Sequence, residues 1–393
     1  MSFNETPRAE RLHIAFYGKR NSGKSTLINA IAGQERAITS PVAGTTADPV
    51  YQAMEISPIG ACVLIDTAGF DDEGELGALR VEKTRETLAQ VDVAVLVCAS
   101  APLDAEAAWL AELKAKNIPT LLVVNKFETK SDFAQTAEKT FGIKPIIVNA
   151  KQGEGVDALI HALTALVPES FGVQSLTAHL VFPKDVVLLV MPQDKQAPKG
   201  RLILPQVQTI RDLLDHACIT VCATLEELPE ALAALAKPPK LIIADSQVFR
   251  EVAKYKPAES KLTSFSVLFA RYKGDITAFR DGAAAIDRLK ETDRVLIAES
   301  CTHKAMDEDI GRVKIPRLLR KKVGEGLTVD VVSGRDFGRD LSKYALIIHC
   351  GGCMMNRAFI LSRIAAAKAA NVPITNYGVA IAKLIGILDE IED

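Results

Sequence analysis

The chain has 393 residues, more than one compact core holds and enough for two or three domains. Hydrophobic residues make up 48% and charged residues 24%, and 47 Lys and Arg against 49 Asp and Glu leave a net charge of -2, which gives no electrostatic footprint for nucleic acid as the main partner. Residues 1–10 lack the apolar core of a signal peptide, no apolar run reaches the roughly 18 residues of a membrane span, and seven cysteines, an odd number, predict a reducing cytoplasm with thiols free or metal-bound.

Up to residue 172 strands and helices alternate, the pattern of an α/β layer. Leu12–Tyr17 reads as a buried strand that runs directly into Gly18-Lys19-Arg20-Asn21-Ser22-Gly23-Lys24-Ser25-Thr26, after which residues 27–32 read as helix. Gly-x4-Gly-Lys-Ser between a strand and a helix is the context a phosphate-binding loop requires. Its glycines let backbone N–H groups face phosphates at a helix N-terminus. Lys24 supplies a positive charge near the β- and γ-phosphates, and Ser25 offers a hydroxyl to Mg2+.

Further parts follow in the order a GTPase needs. Gly44-Thr45-Thr46 lies in a polar loop rich in turn formers, and Thr46 is the threonine expected to close on Mg2+ and the γ-phosphate. The buried strand Val63-Leu64-Ile65 ends in Asp66-Thr67-Ala68-Gly69, so Asp66 can hold the Mg2+ shell through water and the Gly69 N–H can sense the γ-phosphate. Residues 93–98 form another core strand, residues 120–124 lead into Asn125-Lys126-Phe127-Glu128, and residues 146–148 lead into Asn149-Ala150-Lys151. The predicted fold class is α/β: an N-terminal P-loop GTPase domain, a parallel sheet with helices on both faces, followed by two smaller α/β domains.

This ordered set resembles the small-GTPase superfamily, and Pro41-Val42-Ala43-Gly44-Thr45-Thr46 with Asp66-Thr67-Ala68-Gly69-Phe70 looks most like its TrmE–Era branch. The resemblance implies GTP with Mg2+ as ligand, held by Gly18, Asn21, Ser22, Gly23, Lys24, Ser25, Thr26, Thr45, Thr46, Asp66, Gly69, Asn125, Lys126, Glu128, Ala150 and Lys151. Lys24, Thr46, Asp66 and Gly69 are the residues expected to carry hydrolysis. Glu128 stands where the branch usually has Asp, and Asn149 where it usually has Ser; a carboxylate at 128 still accepts from both guanine donors, N1–H and the amino group. Phe70 follows Gly69 where water-orienting GTPases place glutamine, which predicts slow hydrolysis. Asn21 matches the position that helps hold an activating K+ in that branch, so the resemblance implies faster turnover in K+ than in Na+.

A second α/β segment, residues 173–264, carries strand patterns at 186–191, 219–223 and 240–244 and no catalytic constellation, so self-association is its expected role. The third, residues 265–393, shows strand patterns at 267–269, 295–297, 328–332 and 345–348. Two of these strands end in cysteine turns: Cys301-Thr302-His303 after the second, and His349-Cys350-Gly351-Gly352-Cys353 after the last, with 45 residues between the histidines. If those strands are parallel neighbours, both turns lie at the carboxyl edge of one sheet, where open α/β sheets hold ligands. Zinc on three cysteines and a histidine, a redox dithiol, and a [4Fe–4S] cluster on Cys301, Cys350 and Cys353 are all chemically open. Cys62, Cys98, Cys218 and Cys222 lie in or beside apolar runs and read as small core residues.

A TrmE–Era-like GTPase, a middle α/β domain and then Cys-x-His with His-Cys-x-x-Cys resembles the [FeFe]-hydrogenase maturation GTPases over essentially the whole chain, and residues 192–208 look like that family's middle domain. The resemblance implies a cytoplasmic homodimer that serves as an iron–sulfur scaffold and carrier, with a [4Fe–4S] cluster on Cys301, Cys350 and Cys353. It implies a transient di-iron precursor with CO, CN⁻ and dithiolate ligands, built with two radical-SAM maturases and passed to the [FeFe]-hydrogenase apoprotein. By position Asp194 matches the oxygen ligand that family members take from the middle domain, with His303 and His349 as neighbours of the cluster or alternative ligands. The rival from another class is a TrmE–Era-type GTPase acting in RNA modification or ribosome assembly with a structural zinc site. The charge balance and the absence of a recognisable RNA module weigh against it.

Overall fold

The computed structural model describes residues 6–33, 37–40, 48–72, 74–125, 131–168, 171–172, 174–192, 202–246, 248–300, 309–334, 337–338 and 340–393. They form two compact units, Met1–Val173 and Gln174–Asp393.

In the first unit the strands are β1 (Leu12–Tyr17), β2 (Ala37–Ser40), β3 (Val50–Ile56), β4 (Gly60–Asp66), β5 (Val93–Cys98), β6 (Thr120–Asn125) and β7 (Ile146–Val148). Their order is β2-β3-β4-β1-β5-β6-β7. Strands β2, β3 and β4 pair antiparallel at one edge, and β4, β1, β5, β6 and β7 pair parallel. Every residue of β1 and β5 is buried, as central parallel strands covered on both faces must be. The pleat divides β1 between two cores. Leu12, Ile14 and Phe16 pack with Leu27, Ile31 and Leu159 on one face, and Ala15 and Tyr17 pack with Trp109, Leu110 and Leu113 on the other.

The second unit holds two sheets. Strands β8 (Val186–Val190), β9 (Ile219–Ala223), β10 (Leu241–Ala244) and β11 (Lys261–Ser264) lie in the order β11-β10-β8-β9, and β12 (Arg294–Ala298), β13 (Thr328–Val332), β14 (Leu346–His349) and β15 (Ile374–Asn376) in the order β13-β12-β14-β15. All pairs in both sheets are parallel. In each sheet the chain builds outward on one side of its first strand and then crosses to the other. The carboxyl ends of β12 and β14 therefore flank a topological switch point, the crevice where open α/β sheets bind ligands. The end of the chain returns to β11, where the Glu392 N–H donates to the Leu262 carbonyl (3.0 Å) and Thr263 Oγ1 donates to that of Glu392 (2.7 Å).

Two expectations are corrected. Residues 267–269 belong to a helix, Phe265–Lys273, not to a strand. The Ser264 side chain caps it by accepting from the Val267 N–H (3.2 Å), and Phe265, Val267, Leu268, Phe269 and Ala270 are all buried, so no polar stripe marks its helical period. Cys222, expected in a core, is exposed on β9, an edge strand, whereas Cys62, Cys98 and Cys218 are buried.

Candidate functional site

The phosphate-loop sequence hangs between the end of β1 and the helix Lys24–Ala32. Gly18 has no room for a side chain: a Cβ there would lie 2.4 Å from the Val97 carbonyl oxygen. Asn21 and Gly23 both take the left-handed conformation, at φ 60° and 88°, and Gly23 caps the helix. Lys24 is buried, and its ammonium donates to the carbonyls of Gly18 (3.0 Å) and Lys19 (2.8 Å). Burial lowers its pKa, with Asp66, Asp71 and Asp72 acting in opposition. Ser25 Oγ donates to Asp66 Oδ2 at 2.5 Å. Burial raises the Asp66 carboxyl, against the pull of that hydrogen bond and of Lys24. A hydroxyl and a carboxylate oxygen side by side at a helix start fit a hard cation such as Mg2+.

The backbone after β4 touches this loop. A Cβ on Gly69 would stand 2.5 Å from the Arg20 nitrogen, whose N–H donates to Asp71 (2.6 Å). The Phe70 ring stacks on Trp109 at 5.3 Å and 17°, so it packs against the body of the domain. Asn125 braces the edge: its Nδ2 donates to the Ser22 carbonyl (3.0 Å) and its Oδ1 accepts from the Ala150 N–H (3.2 Å). The turns after β1 and β7 are thereby tied to the end of β6, a role the sequence reading did not give this residue. Lys151 is exposed beside buried Ala150. The sequence reading also missed Asp71 and the ion pair between Lys19 and buried Glu106 (3.1 Å). Thr26 is half-buried in the first turn of the helix. Thr45, Thr46, Lys126 and Glu128 lie outside the described residues.

In the second unit β12 and β14 are parallel neighbours, with Ala298 in register with His349. The Cys350 N–H continues the ladder to the Ala298 carbonyl (2.9 Å), and the Ser300 N–H donates to Cys350 Sγ (3.1 Å). Gly352 turns at φ 60° where a Cβ would strike Ile360. Asn356 then caps the helix Arg357–Ala369, accepting from the Phe359 N–H (3.2 Å). Burial raises the Cys353 thiol, the neighbouring Cys350 does the same, and Lys273 opposes both.

His349 is buried, with Nδ1 2.5 Å from the Cys350 carbonyl and Nε2 2.9 Å from Arg363. Arginine only donates, so Nε2 accepts and Nδ1–H donates. Burial and then the Arg363 charge push its pKa down to about 3. Both ring nitrogens thus have protein partners, Nδ1 on the turn itself and Nε2 on the helix that follows it. Cys301, His303 and Asp194 lie outside the described residues, and among the described residues no group of three or more metal-binding side chains is assembled. Two half-buried thiols at the switch point, one of them accepting an amide N–H, nonetheless fit an iron–sulfur donor set.

Residues 13–126 match the family model of 50S ribosome-binding GTPases, so the first unit carries a GTPase domain. The chain is 34% identical over 165 residues to the tRNA modification GTPase MnmE of Ralstonia nicotianae, covering 39% of this chain and 34% of the relative. It is 35% identical over 150 residues to the GTPase Der of Campylobacter curvus, covering 37% and 32%. The chain thus spans about a third of the length of these curated relatives. A crystal structure of Aquifex aeolicus Era bound to GDP.AlF4- aligns with a TM-score of 0.33 at 20% identity, over 57% of this chain and 98% of that one. Residues 176–274 match the hydrogen maturase F dimerization domain and residues 277–391 the hydrogen maturase F tetramerization domain. Those two models together take in more than half of the 393 residues, behind a GTPase domain, and the chain belongs to the hydrogen maturase F family.

Proposed function

We propose that this protein is a GTP-hydrolysing iron–sulfur scaffold that carries the di-iron precursor of the hydrogenase active site to the immature [FeFe]-hydrogenase. The observation that carries the proposal is the parallel pairing of β12 with β14, which lays the N–H of Ser300, the residue before Cys301, on the sulfur of Cys350. Cys301, Cys350 and Cys353 would hold a [4Fe–4S] cluster, with Asp194 as its candidate fourth ligand. Three thiolates leave one iron with an exchangeable position, the chemistry a carrier needs to accept and release cargo. The cargo is a di-iron unit with CO, CN⁻ and dithiolate ligands, made with two radical-SAM maturases.

In the GTPase domain Ser25 and Thr46 would ligate Mg2+ while Asp66 orders its water shell. Lys24 exchanges its two carbonyl partners for phosphate oxygens, and the Gly69 N–H meets the γ-phosphate. Asn125, Lys126, Glu128, Ala150 and Lys151 would read guanine. With Phe70 stacked on Trp109, no side chain there orients the attacking water, which fits slow turnover, and Asn21 would hold an accelerating K+. In this reading the chain works in the cytoplasm as a homodimer or larger oligomer, with functional domains at 1–172, 173–264 and 265–393.

Oxygen-free reconstitution with iron and sulfide tests the proposal, read by metal content and by EPR after dithionite reduction. Roughly four irons per chain and an S = 1/2 signal that disappears in Cys350→Ala are expected. Stoichiometric zinc without a cluster signal would overturn it in favour of a GTPase with a structural metal site.

A further inference from the structure

The cysteine turn is held from an unexpected direction. Lys273 ends the helix Phe265–Lys273, only 2% exposed, and its ammonium lies 3.0 Å from the carbonyl oxygen of Cys353 and 3.0 Å from that of Met355. The reverse contact is also made. Arg357, the first residue of the helix that follows the cysteines, sends its NH1 to the carbonyls of Tyr272 (2.7 Å), Gly274 (3.2 Å) and Arg271 (3.4 Å). Those belong to the last turn of the Lys273 helix and its cap, where carbonyls have no partner within the helix. Each segment end thus supplies a cation to the backbone of the other.

The Lys273 helix lies within residues 176–274, matched by the dimerization model, and the cysteine turn within residues 277–391, matched by the tetramerization model. A buried ammonium is expensive, and an apolar side chain would fill the same space at lower desolvation cost. Neutral carbonyls are weaker partners for a buried ammonium than anions are, so the two contacts to the turn offset its desolvation only in part. Two thiolates and the iron–sulfur group they would bind are anionic, and a fixed cation beside Cys353 offsets that charge.

We infer that Lys273 and Arg357 form a reciprocal clasp that positions the Cys350–Cys353 turn, couples it to the dimerization segment, and makes Lys273 a positioning residue that favours the reduced cluster. The cluster part rests on the function proposed above; the clasp itself does not. Any partner that shifts the Lys273 helix moves the Cys353 backbone directly.

The test compares the full wild-type chain with Lys273→Met, Arg357→Met and the control Lys368→Met, which removes an exposed ion pair to Asp275 (3.1 Å) but neither half of the clasp. Amide hydrogen exchange of residues 351–356 is measured before reconstitution. Iron release to a chelator and the EPR-monitored midpoint potential are measured after it. Losing two charge-assisted hydrogen bonds predicts turn exchange faster by about tenfold or more in Lys273→Met. Iron release accelerates in parallel, the midpoint potential falls, and the control matches wild type. Unchanged exchange with an unchanged midpoint overturns the inference. Should Lys273→Met fail to fold, Arg357→Met decides: faster exchange at both 271–274 and 351–356 supports the clasp, and wild-type exchange at 351–356 refutes it. A wild-type chain that takes up no cluster overturns the carrier reading instead, and the exchange data then judge the clasp alone.

Discussion

Replacing Asn125 by alanine should unlock the nucleotide edge of the first unit. Asn125 is 1% exposed, donates to the Ser22 carbonyl at 3.0 Å, and accepts from the Ala150 N–H at 3.2 Å. Alanine leaves both backbone groups buried without a partner, at about 1–3 kcal/mol each, so the domain should lose roughly 2–5 kcal/mol. Asn125→Asp keeps the acceptor for Ala150 but sets a carboxylate against the Ser22 carbonyl, and should fall short of wild type as well. Because Ser22 lies next to Gly23 and Lys24, the loosened loop should also bind GTP more weakly, by about tenfold for each 1.4 kcal/mol carried into the bound state. The assay is thermal and denaturant unfolding with and without GTP and Mg2+, beside nucleotide affinity by calorimetry. Saturating GTP should recover part of the loss through mass action. A stability loss below about 1 kcal/mol with unchanged affinity would refute the brace.

Other perturbations probe separate links. Gly69→Ala forces a Cβ into the 2.5 Å gap to the Arg20 nitrogen, so GTP turnover should drop roughly tenfold or more, and wild-type turnover would deny the close approach. Hydrolysis should run faster in K+ than in Na+, and Asn21→Ala should erase the difference; equal rates in the wild-type protein would sink the assignment. Asp275 caps the helix Ile276–Ala284, and the Ala278 N–H it accepts holds its carboxyl below the ordinary 3.8. A depressed folded pKa gives stability that is fully present above the unfolded value and is lost as pH falls from there through the folded value. The second unit should therefore weaken below about pH 4, and Asp275→Asn, which still caps, should flatten that limb of the stability curve. An unaltered acid limb in Asp275→Asn would place its origin elsewhere.

Legibility in the sequence followed the range of the interactions. The phosphate loop, the strand that feeds it and the Asp66 carboxylate are local patterns whose spacing is dictated by the ligand they serve, so they could be read directly. The parallel pairing of the two cysteine strands was legible as a condition and is met by β12 and β14. The run at 267–269 misled because five of the helix's first six residues are buried, so that stretch carries no polar stripe, and Ser264, its cap, looks like any other serine in a strand. Cys222 misled because an apolar run does not say whether its strand is central or at an edge. Lys273 was invisible for another reason: its carbonyl partner on Cys353 is 80 positions away, and a lysine at the end of a helix ordinarily points to water.

Among the described residues the two buried lysines, Lys24 and Lys273, point to different uses of one chemistry. Lys24 sits on the carbonyls of Gly18 and Lys19, in a loop whose glycines and helix start favour an anion. Neutral carbonyls are weaker partners for an ammonium than phosphate oxygens, so under the proposed function these contacts would give way to nucleotide phosphates. Lys273 also sits on two carbonyls, but they belong to the turn that carries the thiols, and Arg357 closes the same junction from the other side. Exchange there would release the turn itself. In the proposed reading the first lysine lets go of the protein, and the second keeps hold of it.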